Sequence, residues 1–138
     1  MSVRIVNFAD GFTSASAPLV TGGVQEDYAL ANNQALTNIT GLVFSSTSYK
    51  AVFIEYELER IGSSTFRQVG TMILSYNGTW TLNLGNFQGN SIIEPTLVNA
   101  ESITLTVDSA TGQFKYTSGN LAGHTASNLN LNIVRIVA

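Results

Sequence analysis

Apolar residues recur at every second position along much of this chain, the period of a half-buried β-strand. The clearest run is Tyr49 to Ile61, where Val52, Ile54, Tyr56 and Leu58 share one face and Glu55, Glu57 and Glu59 the other. After Gly62-Ser63-Ser64-Thr65 the chain returns as Phe66 to Tyr76, which predicts a hairpin. A three-residue loop sets Glu59 opposite Arg67, whereas a four-residue loop opposes Arg60 and Arg67, so charge pairing favours the shorter loop. Asn77-Gly78 predicts a type I′ turn, both of whose central residues need positive φ. Its second strand runs from Thr79 to Leu84 and alternates Trp80, Leu82 and Leu84 against Thr81 and Asn83, which predicts Trp80 in the core, and Gly85 to Pro95 reads as loop. Ser102 to Val107 and Gln113 to Thr117 form a third hairpin around a turn in which Asp108 caps its own backbone. The last strand, Leu129 to Val137, alternates at first and becomes apolar on both faces near Val134 and Ile136, which predicts double burial of that end.

No stretch sustains a helical period with a cap, and turn signals return at the short spacing of an all-β domain. The expected fold is therefore all-β, an antiparallel β-sandwich or jelly roll forming a single domain over residues 24–138. Residues 1–23 read differently. A short apolar run, Val3-Arg4-Ile5-Val6, precedes a small-residue stretch from Asp10 to Pro18 that closes at Gly22-Gly23. Few of these side chains repay the entropy of ordering within one domain. Two readings stand: an extended N-terminal arm that orders on a neighbouring surface, or an edge strand followed by a loop.

The 138 residues suffice for one unaided core, and at 44% hydrophobic the chain is too apolar for disorder. Only 11% is charged, with Asn, Ser, Thr and Gly in place of the missing charges. Such a neutral surface suits repeated packing against protein. The net charge is −3 and the six basic residues are scattered, which argues against a nucleic-acid partner. The absence of cysteine rules out disulfides and thiolate metal sites. No apolar run approaches membrane-spanning length and the first residues lack a secretory h-region, so no membrane is expected and synthesis in a bacterial host cytoplasm is. Asn38-Ile39-Thr40 and Asn77-Gly78-Thr79 match the glycosylation pattern and are read as turn segments.

Candidate chemistry is sparse. His124, the one histidine, lies in a Gly- and Ala-flanked loop without a Gly-x-Ser-x-Gly elbow, and reads as a hydrogen-bonded loop residue, at most a pH-sensitive contact. The row Glu55, Glu57, Glu59 has a spacing compatible with a hard cation or a glycosidase pair, but a solvated strand face has the same pattern. Tyr28, Tyr49, Phe53, Tyr56, Trp80 and Tyr116 are the aromatics available for a sugar platform, half or more of them expected in the core or in subunit contacts. No catalytic residue, cofactor or metal site is assigned, and the chain is expected not to be an enzyme.

Four phrases in order carry a further reading: Asn32-Asn33-Gln34, Asn38 to Phe44, Ile54 to Arg60, and Gln113 to Gly123. In this order and spacing they resemble a β-rich structural module of bacteriophage virions, found in capsid decoration (cement) proteins and tail fibres, over about two thirds of the chain. The resemblance implies a location in the virion, assembly as a homotrimer, and the major capsid protein or another virion protein as partner. The module fills most of this chain and a fibre ordinarily carries a shaft before its tip, so a head-stabilising cement protein is the first expectation. A tail-fibre module recognising host surface glycans is the alternative. Subunit or capsid contacts are expected at Val3, Ile5, Phe8, Phe12, Pro18 and Leu19 in the arm and at Tyr49 and Phe53 in the domain.

Overall fold

The computed structural model describes residues 24–138, and the expected arm with its contacts Val3, Ile5, Phe8, Phe12, Pro18 and Leu19 lies outside them. The described residues form eight strands: β1 (Val24–Ala29), β2 (Thr37–Val43), β3 (Ala51–Ile61), β4 (Thr65–Tyr76), β5 (Trp80–Gly89), β6 (Ile103–Val107), β7 (Gln113–Ser118) and β8 (Ala126–Val137). A five-stranded sheet, β1-β8-β3-β4-β5, packs on a three-stranded one, β2-β7-β6, every strand pair being antiparallel. The result is the all-β sandwich that the period-two pattern predicts.

The core fills from both inner faces. Val52, Ile54, Tyr56 and Leu58 of β3, Met72 and Leu74 of β4, and Leu129, Leu131 and Ile133 of β8 meet Ile39 and Leu42 of β2, Ile103 and Leu105 of β6, and Phe114 and Tyr116 of β7. Trp80 is buried with them, as its alternation with Leu82 implies. Each such side chain removed from water contributes about 1.5–3 kcal/mol, against the cost of ordering the backbone.

The β3–β4 hairpin has the register that charge pairing favours: Ile61 opposes Thr65 across a three-residue loop, and Glu59 opposes Arg67. Arg67 makes ion pairs with Glu59 and, at 3.0 Å through Nε, with Glu57. The cluster is largely exposed, so Arg67→Ala is expected to lower stability by at most about 1 kcal/mol in urea denaturation. In the turn after β6, Asp108 Oδ1 accepts from the backbone N–H of Ala110 (2.9 Å) and Thr111 (3.0 Å). Those backbone bonds, that to Thr111 foremost, hold the Asp108 carboxyl below its usual pKa. Their contribution is thus present at neutral pH and lost on acidification below about pH 4.

Four sequence expectations need correction. The Asn77-Gly78 link is a three-residue loop closed by the Tyr76–Trp80 pair, with positive φ at Gly78 (83°) but not at Asn77, so it is no type I′ turn. Residues Gly85 to Gly89 are strand rather than loop. A bulge sets Gly85 and Asn86 against Thr71 alone, and the Thr71 side chain fills the space that a Cβ on Gly85 would need. The far end of β8 is not doubly buried, since Val134 is 46% and Ile136 45% exposed. There β8 bulges between its pairings with Phe53 and Ile54, so that Val134 has no partner on β3. Finally, Asn38-Ile39-Thr40 lies within β2 rather than in a turn.

Candidate functional site

The outer face of the five-stranded sheet is polar along β1, the asparagines of β8 and the glutamate row of β3, and its order comes directly from strand register. Rung by rung, Gln25, Asn132, Glu55 and Thr71 lie side by side, then Asp27, Asn130, Glu57 and Val69, then Ala29, Asn128, Glu59 and Arg67. The β1, β8 and β3 members of the first two rungs, Gln25, Asn132, Glu55, Asp27, Asn130 and Glu57, wall a shallow, open depression of about 350 Å³. Asn132 donates to Glu55 at 3.3 Å and Asn130 to Glu57 at 3.4 Å, long contacts that leave the carboxylates able to accept from hydroxyls or amides of a ligand, while Asn132 Oδ1 is buried without a hydrogen-bond partner among the described residues. The glutamate row is thus the solvated strand face its alternation predicts, with an asparagine ladder beside it that only β8–β3 pairing reveals.

The two expected contact aromatics of the domain occupy different environments. Phe53 is half-buried on this outer face, opposite Ile73, with the Arg135 guanidinium 5.2 Å above its ring. Tyr49 is half-buried in the β2–β3 connection, its ring edge-on to Phe44 at 5.5 Å, and packs against the core of its own domain. Of the other aromatics, Tyr56, Trp80 and Tyr116 are buried and Tyr28 packs against the core, so the six do not form one exposed platform.

A second polar centre is internal and was not anticipated. Arg60, fully buried at 0% exposure, sits on β3 in step with Tyr56 and Leu58 and points between the sheets. Its Nε donates to Ser127 Oγ (2.9 Å), Nη1 to the carbonyls of Ala100 (3.2 Å) and Ser102 (3.4 Å), and Nη2 to Asn32 Oδ1 (2.7 Å) and the Gly119 carbonyl (3.2 Å). All five guanidinium hydrogens therefore have acceptors, none of them a carboxylate. Burial lowers the Arg60 pKa and the nearby Glu101 opposes that shift, yet an arginine remains cationic. Asn32 Oδ1 also accepts from the Leu121 N–H at 2.9 Å, and Asn32 Nδ2 donates to Asn120 Oδ1 at 2.9 Å. Three of the four phrases that carry the resemblance thus meet at one buried cation. The fourth, in β2, turns outward at Gly41 (φ 88°), where the Gln113 amide donates to the Ile39 and Leu42 carbonyls.

Gln68 repeats the device one strand over. Buried on β4, it accepts from the N–H groups of Ile92 (2.6 Å) and Ile93 (2.9 Å) and donates to the Tyr56 hydroxyl (2.9 Å), fastening the β5–β6 connection to the sheet. Both residues share the inward parity of the apolar stripe on their strands, the sequence signal that marks them.

Comparison with known proteins bears on the fold. No protein-family model matches the sequence, and no curated protein matches it. A solved structure does. The crystal structure of the Acinetobacter phage vB_ApiP_P1 tailspike protein superimposes with a TM-score of 0.51 at 9% identity, covering 97% of this chain. The match spans 26% of the tailspike chain, so the likeness is one of fold and concerns about a quarter of that protein.

Proposed function

We propose that this chain is a non-enzymatic structural module of a bacteriophage virion, and that it works by being covered. The observation that carries the reading is the fold, a sandwich of the kind present within a phage tailspike. It is supported by the ordered phrases that converge on Arg60 and by the sparsely charged surface of the chain. On the first expectation the chain is a homotrimeric cement protein on the head shell. Several weak contacts per trimer act together through high effective concentration, and binding to the assembled shell alone stabilises it by mass action. Purified protein added to undecorated heads is expected to raise their resistance to heat. Heads that neither bind it nor gain resistance would remove the cement reading.

A second reading has its own support. The likeness is to a tail protein, and the acid-and-amide depression on the outer face suits sugar hydroxyls, so a tail module binding host surface glycans accounts for both. Glycan-array binding that Asn130→Ala and Asp27→Ala abolish without loss of fold would select it. Hydrolysis of a polysaccharide that stops with Glu55→Gln or Glu57→Gln would instead make the chain an enzyme and overturn both readings.

A further inference from the structure

We infer that His124, Ser127 and Arg60 form an acid-sensitive latch at one end of the sandwich, closed while the imidazole is neutral and opened when it gains a proton. Ser127 is buried, and its Oγ has two polar side-chain neighbours within hydrogen-bond distance: Arg60 Nε and His124 Nε2, each at 2.9 Å. Arg60 Nε has only a hydrogen to offer, so Ser127 accepts there. The oxygen has a second lone pair and could accept from His124 as well, but the arrangement that also uses the hydroxyl hydrogen directs it to His124 Nε2, and in that relay, Arg60 Nε–H to Ser127 Oγ–H to His124 Nε2, the ring is the Nδ1–H tautomer.

Protonation of Nε2 reverses the last bond. Two N–H donors, from Arg60 and from the imidazolium, then point at one hydroxyl whose own hydrogen loses its acceptor, and a second cation, on a partly exposed ring, lies next to the buried Arg60. Among the described residues, the charged groups that reach this corner are Arg60 from β3 and Glu101 from the β5–β6 connection. Glu101 is not among the hydrogen-bond acceptors of Arg60, so no carboxylate at the relay offsets a second positive charge. Burial first and the Arg60 charge second hold the His124 pKa below its ordinary value. The sign follows: the unfolded chain takes up a proton more readily than the folded one, so stability is full above the unfolded histidine pKa and declines as pH falls through about 6.5.

The latch has mechanical reach. Ser127 accepts from the Leu30 N–H through its carbonyl at 2.8 Å, Thr125 N–H donates to Ile61 at 2.8 Å, and Leu121 is tied to Asn32. Releasing Ser127 and Arg60 therefore loosens the β1–β2 and β7–β8 connections together, at a corner remote in sequence from the turns that close the other hairpins.

His124 is the only histidine, so the test is direct. In the wild-type protein, nitrogen-detected NMR of the ring is expected to show the Nδ1–H tautomer at pH 7.5 and a pKa below that of a free histidine. Between pH 7.5 and 5.5 the Tm is expected to fall, by at most the roughly 3 to 6 °C that a tenfold change in the folding equilibrium produces in a domain of this size. His124→Gln keeps an acceptor oxygen for Ser127 but cannot titrate, and is expected to hold its Tm over that window. An Nε2–H tautomer, an ordinary histidine pKa, or an equal fall in the His124→Gln variant would each overturn the latch.

Discussion

Replacing Arg60 by Met is expected to destabilise the domain by about 3–5 kcal/mol, a large part of the margin by which a domain this size is folded. The apolar volume is kept, so the loss is not a cavity effect. Buried ion pairs can often be replaced by apolar residues without harm because both charges leave together. Here the acceptors are the backbone carbonyls of Ala100, Ser102 and Gly119 with the Asn32 amide, and no mutation of Arg60 removes them. The Ser102 and Gly119 carbonyls and Asn32 Oδ1 each keep a backbone donor, from Gly119, Asn33 and Leu121, so the Ala100 carbonyl alone loses its partner and most of the loss comes from the charge-assisted bonds themselves, about 1.5–3 kcal/mol each. Arg60→Lys should recover only part of the loss, since an ammonium cannot span five acceptors disposed around a planar fork. Urea denaturation of the three proteins measures this order. A loss below about 1 kcal/mol for the Met variant would mean that water reaches the acceptors and that the node does not hold this end together.

Gly112→Ala is expected to be the most damaging of the glycine changes at turns, costing about 3 kcal/mol or more. Gly112 has φ of 78°, and a Cβ there would lie 2.0 Å from the Phe44 carbonyl oxygen and 2.8 Å from Trp80 Nε1. The neighbour that would have to yield is backbone. It is pinned, because Phe44 N–H donates to the Gly112 carbonyl at 3.1 Å while Gly112 N–H donates to Asp108 at 2.9 Å. Gly78 is the control: its φ is 83°, but a Cβ would meet nothing within 4 Å. Gly78→Ala therefore carries only the conformational term, about 1–2 kcal/mol. Equal thermal shifts for the two variants would show that the contact with Phe44 is not what fixes the turn.

The legible parts of this fold were those set by short-range rules acting on long elements. The β3 stripe repeats through Val52, Ile54, Tyr56 and Leu58, so its face is unambiguous, and one ion pair then selected the hairpin register. Asp108 was legible because an Asx turn needs only its own next residues. Residues 24–48 drew no strand assignment because β1 mixes Gln25, Glu26 and Asp27 with its apolar positions, while β2 breaks its alternation at Gly41. Gly85 reads as a loop residue when its reason is the Thr71 side chain across the ladder, a fact of pairing rather than of sequence. The polar centres were half legible. Arg60 and Gln68 both continue the inward parity of their strands, and a charged or amide residue at such a position signals a buried node; its partners, which lie 12 to 67 residues away in sequence, cannot be read from periodicity. The asparagine ladder beside the glutamate row likewise depends on β8 lying next to β3.

The central claim is that this sandwich serves inside a virion, its sparsely charged exterior covered by neighbouring proteins. Quantitative mass spectrometry of purified particles, with the major capsid protein as internal standard, tests it most directly. The account predicts a stoichiometric component, at hundreds of copies if it decorates the head and a handful if it belongs to the tail. Particles that carry none of it, with the chain recovered as a free monomer from the infected cell, would contradict the account.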